Sequence, residues 1–333
     1  MYAVLMTAVG EPEVLQYQAV PDPQITSPTE MLVKIKAAGV NPIDTKLRQR
    51  GNFYQKIPAI LGCDGAGVVV AVGSAVTKFQ VGDAVYFCNG GLGKHQGNYA
   101  EYTVIDQDLA APKPASLSFA EAAAVPLVLI TAWESLYDRA RLEGTRTVLI
   151  HGGAGGVGHM AIQLAQLTGS AVATTVSSPA KAEFCRSLCP NIYPIFYREQ
   201  DFVTAIHHWT DNAGVEVALD TVGGPVFAQT FSAMQIYGDL VSILAPDPNT
   251  DWKVARDRNL RISLELMLTP MLQERRDLQK HQVQILEESI HLFDTGKLQV
   301  KVAQQFPLQS ATEAHRYLAS GKVQGKIVLI NEN

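Results

Sequence analysis

The chain predicts an α/β protein in two parts, a β-barrel made of short strands and a doubly wound parallel sheet. Three observations predict this. Residues 1 to about 125 carry short strand-like runs punctuated by glycine and proline. From Thr147 onward strands and helices alternate, the pattern of a parallel sheet covered on both faces. Between Val148 and Gly169 the stretch VLIHGGAGGVGHMAIQLAQLTG places five glycines within seven residues, between an apolar strand and a helix-spaced run. At 333 residues the chain also exceeds one comfortable hydrophobic core, so two domains are expected.

In chain order, MYAVLMTAVGEPE reads as the first strand. LVKIKAAGV, GAGVVVAVG, DAVYFC and NYAEYTVID follow, separated by the turn-like PDP, VGSAV and CNGGLGKHQG. The segment SFAEAAAVPLVLITAWESLYDRA reads as helical, with Ser118 and Glu121 spaced as a capping box. Strands are then predicted at Val148–His151, Ala171–Val176, Ile192–Phe196, Val215–Asp220 and Leu240–Leu244. Helices are predicted near 156–168, 179–188, 200–210 and 224–235. Beyond Arg261 come strand-like RISLELM, the helix QVQILEESIHLFDTG, a short strand, the helix SATEAHRYLASG and the strand KIVLI. This closing segment is too small for a core of its own and is expected to return to the first domain.

Composition narrows the function classes. A hydrophobic content of 47% and a charged content of 18% describe a soluble globular protein. The net charge of −5 offers no basic surface for nucleic acid or anionic membrane. The longest apolar run, Ala122 to Trp133, is too short for a bilayer and contains Pro126. No basic region precedes the apolar N-terminus, so no signal peptide is expected. Cys63, Cys88, Cys185 and Cys189 read as free thiols of a reducing compartment, the cytoplasm.

The glycines carry the first functional signal. Gly153, Gly155 and Gly158 fit G-x-G-x-x-G where a strand ends and a helix begins. That order supplies a tight turn, close backbone approach and close helix–strand packing, with a helix N-terminus aimed at a pyrophosphate. Gly153, Ala154, Gly155, Gly156, Val157 and Gly158 are therefore candidate cofactor-binding residues. The competing reading is a flexible surface loop, disfavoured by the strand and helix on either side.

Several motifs act together: AAGVNPIDTKLRQRG (37–51), ILGCDGAGVVVAVG (60–73), VGDAVY (81–86), HGGAGGVGHMAIQLA (151–165), ALDTVGG (218–224) and GKIVLI (325–330). Over essentially its whole length the chain resembles the zinc-independent medium-chain dehydrogenases/reductases of the quinone oxidoreductase, zeta-crystallin-like group. The resemblance implies a GroES-like β-barrel catalytic domain at 1–125, completed by 268–333. It further implies a Rossmann NADPH-binding domain at 126–267 and an active site in the cleft between them. Zinc-dependent relatives need a cysteine, a histidine and a further cysteine or acidic ligand. Here Asn41 stands at the first cysteine position, Cys63 and Asp64 replace a Gly-His-Glu motif, and no four-cysteine loop follows Cys88. No metal is expected.

A cofactor lacking the 2′-phosphate usually meets an acidic residue about 20 residues past the glycines. Here ATTVSSPAKAE has none before Glu183. Similar reductases use a serine or glycine, a lysine and a downstream tyrosine, matched by Ser177, Lys181 and Tyr197, which implies NADPH. The resemblance assigns Thr131 and Asn41 to the nicotinamide end as catalytic residues, and Leu244 and Lys326 to the cofactor lining. Phe53 and Tyr54 would wall a substrate pocket, and Asp44 would fix the Asn41 loop through backbone amides. His151 reads as a packed core histidine. The implied reaction is hydride transfer from NADPH to a small-molecule quinone or α,β-unsaturated carbonyl without metal. The alternatives are an enoyl or 2-alkenal reductase of the same fold, a zinc-type alcohol dehydrogenase, and a non-catalytic NADPH-binding structural protein. In such proteins the strand matching RISLELM (261–267) ends the Rossmann sheet, and its open edge implies a homodimer, or a tetramer.

Overall fold

The computed structural model describes residues 1–331; residues 332–333, at the end of the expected 268–333 span, lie outside the described residues. The chain divides into two compact units. One comprises Met1–Leu127, Leu268–Gly296 and the residues from Val300 onward; the other comprises Val128–Met267 and Lys297–Gln299.

The first unit opens with β1 (Tyr2–Met6), β2 (Leu15–Ala19), β3 (Glu30–Val40) and helix α1 (Pro42–Arg50). β4 (Ala59–Ile60), β5 (Asp64–Val72), β6 (Ala84–Cys88), β7 (Tyr102–Asp106) and β8 (Ala111–Pro112) follow. In β3 the buried residues alternate, so Met31, Val33 and Ile35 meet Val69, Val85 and Phe87 in one apolar cluster. α1 begins directly after β3, with Asn41 as N-cap and Pro42 in the first turn, where a missing N–H is harmless. Gly39 is needed at this junction: a Cβ there would lie 2.4 Å from Ala123 O and 2.9 Å from the Asp64 side chain.

The helical segment after Ser118 is broken. α2 (Phe119–Ala123) carries the Ser118/Glu121 capping box, and α3 (Pro126–Trp133) restarts at the proline, running on into a π-helical stretch at Glu134–Arg139.

The second unit contains β9 (Thr147–Ile150), α4 (Gly156–Leu167), β10 (Ala171–Val176), α5 (Pro179–Leu188), β11 (Tyr193–Phe196) and α6 (Phe202–Trp209). β12 (Val215–Asp220), α7 (Pro225–Ala233), β13 (Met234–Ser242), α8 (Lys253–Asp257) and β14 (Arg261–Leu264) complete it. All its strand pairs are parallel, in the order β11-β10-β9-β12-β13-β14. Leu149, Ala173, Ile195, Ala218 and Leu240 present one apolar face, covered by Phe202, Ile206, Phe227 and Phe231. The order reverses at β9, and a doubly wound sheet binds ligands at the strand ends beside such a reversal. The glycine turn leaves β9 there.

The chain then adds α9 (Thr269–Leu272), α10 (Arg276–Asp294), β15 (Val302–Pro307), α11 (Ala311–Ala319) and β16 (Lys326–Ile330). β16 pairs antiparallel with β3, Ile327 opposite Val40 and Leu329 opposite Ala38. This register sets Lys326 beside the end of β3, against Asn41.

Several boundaries differ from the sequence reading, among them the strand expected over 261–267, which ends at Leu264. β13 starts at Met234 rather than Leu240: Met234 pairs with Val215, residues 235–238 then bulge out with Tyr237 at a φ of +65°, and pairing resumes at Asp239, opposite Val217 and Arg261. α10 starts at Arg276, since its polar first turns show no apolar period. Among the described residues, no helix is long and apolar enough to cross a membrane.

Candidate active site

In the second unit the glycine turn is held from beneath by two threonines of β10. Gly152 turns the chain with a left-handed φ of +70°. Its N–H donates to Thr175 Oγ1 at 3.0 Å, and the Gly153 N–H donates to Thr174 Oγ1 at 2.9 Å. Thr174 in turn donates to Ile150 O at 2.6 Å. A Cβ on Gly153 would lie 2.2 Å from the Thr174 hydroxyl, and one on Gly158 would lie 2.2 Å from Gly152 O, so packing demands glycine at both.

Gly155 is different. It caps α4 in an extended conformation, φ −81° and ψ 179°, and a Cβ there would meet only Gly152 O, at 3.2 Å. The protein's own packing barely needs glycine here; the missing side chain keeps open the approach to the helix start. The first N–H groups of a helix have no intrahelical acceptor and lie at its positive end. Gly156, Val157 and Gly158 supply them, with Ala154 buried in the turn. Backbone donors, positive dipole and an uncovered face together fit a pyrophosphate.

At the adjoining strand ends Val176 pairs with Phe196, so Ser177 and Tyr197 leave β10 and β11 side by side. Lys181 lies in the first turn of α5, whose N-cap is Ser178, its Oγ accepting the Lys181 N–H at 3.4 Å. Ser177 and Lys181 are half-buried and Tyr197 is exposed. Asp220 organises the loop after β12: one oxygen accepts the Val222 and Gly223 N–H groups at 2.8 and 2.9 Å, the other the Ser242 hydroxyl at 3.0 Å. Leu244 rests against Gly223, where a Cβ would lie 2.9 Å from its side chain. Thr131 is buried in α3. His151 lies within hydrogen-bonding reach of Thr230 and Thr175, and burial lowers its pKa to about 4 against the pull of Asp220; it is a neutral core histidine.

In the first unit Asn41 is the hub of a buried polar cluster. Its Oδ1 accepts from Lys326 Nζ, which also reaches Val40 O at 3.3 Å. Its Nδ2 donates to Asp64 Oδ2 at 2.8 Å, and Lys326 Nζ stands 3.6 Å from the same oxygen. An amide can accept from an ammonium with its oxygen and donate to a carboxylate with its nitrogen at once, so its two neighbours fix its orientation. Asp64 Oδ1 accepts the Leu127 N–H at 2.8 Å. Asp44 Oδ2 accepts the Asn41 N–H at 2.8 Å and the Tyr99 hydroxyl at 3.0 Å; Tyr99 also lies 3.3 Å from His315 Nε2.

Asn41, Asp44, Asp64, Tyr99 and His315 are fully buried and Lys326 is nearly so. Burial pushes Asp44 up to about 7, opposed by its bonds from Asn41 and Tyr99. Burial raises Asp64 as well, opposed first by Lys326. A bond from Cys88 pulls the Cys63 thiol down, but burial and the two aspartates outweigh it; Cys88 rises well above the usual range. All four cysteines are free. Among the described residues no group of three or more His, Cys, Asp or Glu side chains is arranged to hold a metal ion.

The structure thus brings Asn41 to Lys326, and Ser177 to Lys181 and Tyr197. It buries the Lys326 side chain and turns it onto Asn41. Phe53 and Tyr54 stand largely exposed on the loop after α1, with Tyr54 Oη donating to Leu272 O at 3.3 Å. Sequence reasoning missed Thr174, Thr175, Tyr99 and His315, which carry no local signal. Asp220, followed by Val-Gly-Gly, carried an Asx-turn signal that could have marked it.

One unit with a six-stranded parallel sheet and this turn, and another whose β3 pairs with the C-terminal strand, define the architecture of a medium-chain dehydrogenase/reductase. Residues 27–115 match the alcohol dehydrogenase GroES-like domain and residues 192–329 match the zinc-binding dehydrogenase family. A quinone oxidoreductase of Pseudomonas aeruginosa is 33% identical over 329 residues, covering 98% of each chain. The structure of an alcohol dehydrogenase superfamily protein from Novosphingobium aromaticivorans superposes with a TM-score of 0.91 at 36% identity, over 100% of both chains. The Escherichia coli quinone oxidoreductase complexed with NADPH superposes at 0.88 with 29% identity, over 99% of this chain and 100% of that one. The chain belongs to the quinone oxidoreductase group of the medium-chain dehydrogenases/reductases.

Proposed function

We propose that the protein is an NADPH-dependent reductase of quinones or α,β-unsaturated carbonyls that works without a metal. The observation that carries this is Asn41 held between Lys326 and Asp64. Where a zinc centre needs a thiolate this site has an amide, and beside it an ammonium, which repels a cation. A conjugated acceptor is already electrophilic and needs less polarisation than a simple carbonyl.

NADPH, when bound, supplies the hydride. The N–H groups of Gly156, Val157 and Gly158 would hold its pyrophosphate, with Gly153, Ala154 and Gly155 shaping the turn. Lys181 and Ser177 would hold the 2′-phosphate, and Tyr197 would cover the adenosine end. Leu244 would line the cofactor through the loop that Asp220 secures. Thr131 and Asn41 would serve the nicotinamide end. Asn41 Nδ2 carries two protons and Asp64 takes one of them, so the other can serve as a donor. Lys326 would act through Asn41, and Phe53 and Tyr54 would wall the acceptor.

The test is steady-state NADPH oxidation against a panel of quinones, 2-alkenals and simple alcohols with NADP, in protein whose metal content has been measured by elemental analysis. Turnover with quinones or alkenals in metal-free protein is expected. Robust alcohol oxidation, or activity that is lost to a chelator and follows one zinc per chain, would refute the proposal.

A further inference from the structure

The Asn41 cluster does not balance its charges. Two buried carboxylates, Asp44 and Asp64, share one buried ammonium, that of Lys326. Asp64 is the better satisfied, since it accepts from Asn41 Nδ2 and Leu127 N and stands 3.6 Å from Lys326 Nζ. Among the described residues Asp44 forms no ion pair, Lys326 acting on it only from farther off, and its Oδ1 is buried without a hydrogen-bond partner. An ionised carboxylate with one oxygen bare in a dry site is costly; a carboxylic acid there, even with its O–H unpartnered, costs less.

We infer that Asp44 is a positioning residue that carries the one dissociable proton of the Asn41 centre, and that the centre works with Asp44 protonated. The inference rests on the proposed reading of Asn41 as a donor at the reacting end. Hydride arrival puts negative charge on the acceptor. Protonated Asp44 leaves the cluster neutral, the Asp64 carboxylate balancing the Lys326 ammonium. Ionised Asp44 adds an uncompensated negative charge that opposes the charge developing on the acceptor, and draws on the Asn41 N–H it accepts from. The proton stays on Asp44 throughout; no bond to substrate is made or broken by it.

The groups facing Asp44 are few. Asp64 and Cys63 approach from the start of β5, Tyr99 from the segment before β7, and Lys326 from β16. Beyond Tyr99 lies His315 of α11, held neutral by burial, with Arg48 of α1 adding to that effect. Burial raises Tyr99 well above its usual range, and Cys63 is raised as well, so both keep their protons near neutral pH. Asp44, pushed up to about 7 by burial, changes state there.

The test compares wild type with Asp44→Asn, which keeps an oxygen acceptor for Asn41 N–H and Tyr99 and cannot ionise. Wild-type kcat/KM is expected to fall about tenfold between about pH 6 and about pH 8.5, while the ratio for D44N stays within about twofold. A second measurement needs neither cofactor nor acceptor. The infrared band of a protonated carboxyl, assigned by isotope labelling of aspartate, should be present in wild type at about pH 6, fade with a midpoint near 7 and be missing in D44N. An identical high-pH decline in D44N, or no protonated-carboxyl band in wild type at about pH 6, overturns the inference. Should D44N not fold, the wild-type titration decides alone. Failure of the acceptor panel would refute the reductase reading and leave the infrared result standing.

Discussion

Replacing Gly155 and Gly158 each by alanine separates what the glycine turn does for the fold from what it does for a ligand. At Gly158 the new Cβ would lie 2.2 Å from Gly152 O, 2.7 Å from Gly153 Cα and 2.8 Å from Gly152 C, all backbone. Nothing there can rotate away, so the turn must open. Overpacking of this kind costs about 1–3 kcal/mol. For a unit of this size each kcal/mol lowers the melting temperature by about 2–4 °C. At Gly155 the Cβ would meet one atom, Gly152 O, at 3.2 Å, in a backbone conformation open to any residue. A few tenths of an ångström of relaxation suffices, and alanine also restricts the unfolded chain, worth about 0.4–1 kcal/mol the other way. Gly155→Ala should therefore melt within about 2 °C of wild type. Its Cβ nevertheless crowds the N–H groups that open α4, so the Kd for NADPH should rise about tenfold or more. Pyrophosphate contact is the same in ground and transition states, so KM should rise while kcat holds within about twofold. Differential scanning fluorimetry and a fluorescence titration with NADPH measure both arms. A G155A protein that melts and binds NADPH like wild type would refute the phosphate cradle; a G158A protein that melts like wild type would refute the steric argument.

Two further outcomes are expected. Lys181→Ala should raise KM for NADPH about ten- to hundredfold, the loss of a charge-assisted hydrogen bond of about 1.5–3 kcal/mol, and leave NADH nearly unchanged; equal weakening of both cofactors would reject the phosphate role. His315 is buried and neutral with its pKa at about 3, below the ordinary 6.5, so between those values the unfolded chain binds the extra proton and His315 costs stability as pH falls. His315→Gln should therefore gain on wild type by about 1.4 kcal/mol per pH unit from about pH 6.5 down to about pH 4 in urea melts, and a pH-independent difference would contradict this.

Much of the fold was legible because it depends on short-range pattern. Ala171–Val176, Val215–Asp220 and Lys326–Ile330 are strands over the very residues their apolar runs mark. The Ser118/Glu121 capping box lies where its spacing indicates. The early start of β13 was not legible, since it rests on one pair, Met234 with Val215, set off from Asp239 by a bulge at residues 235–238 whose exposed Ile236 and Tyr237 show no strand pattern. Nor was the role of Thr174 and Thr175, which read as ordinary strand residues yet hold the glycine turn through side-chain oxygens.

By itself the sequence determined the alternation of strands and helices from Thr147 to β13, the glycine turn and the absence of an acid between Ala171 and Ala182, because these are matters of local composition and spacing, while α1 at Pro42–Arg50 went unread. Only the tertiary structure decided what Asn41 is. The antiparallel register of β16 on β3 carries Lys326 across 285 residues of chain to the Asn41 amide, and β5 delivers Asp64 to its other side. Burial then makes three charges in that space a problem that a proton must balance. Hydrogen-bond partners so far apart in the chain leave no periodic trace, and the low dielectric that gives them their chemistry exists only once the folded unit has buried them.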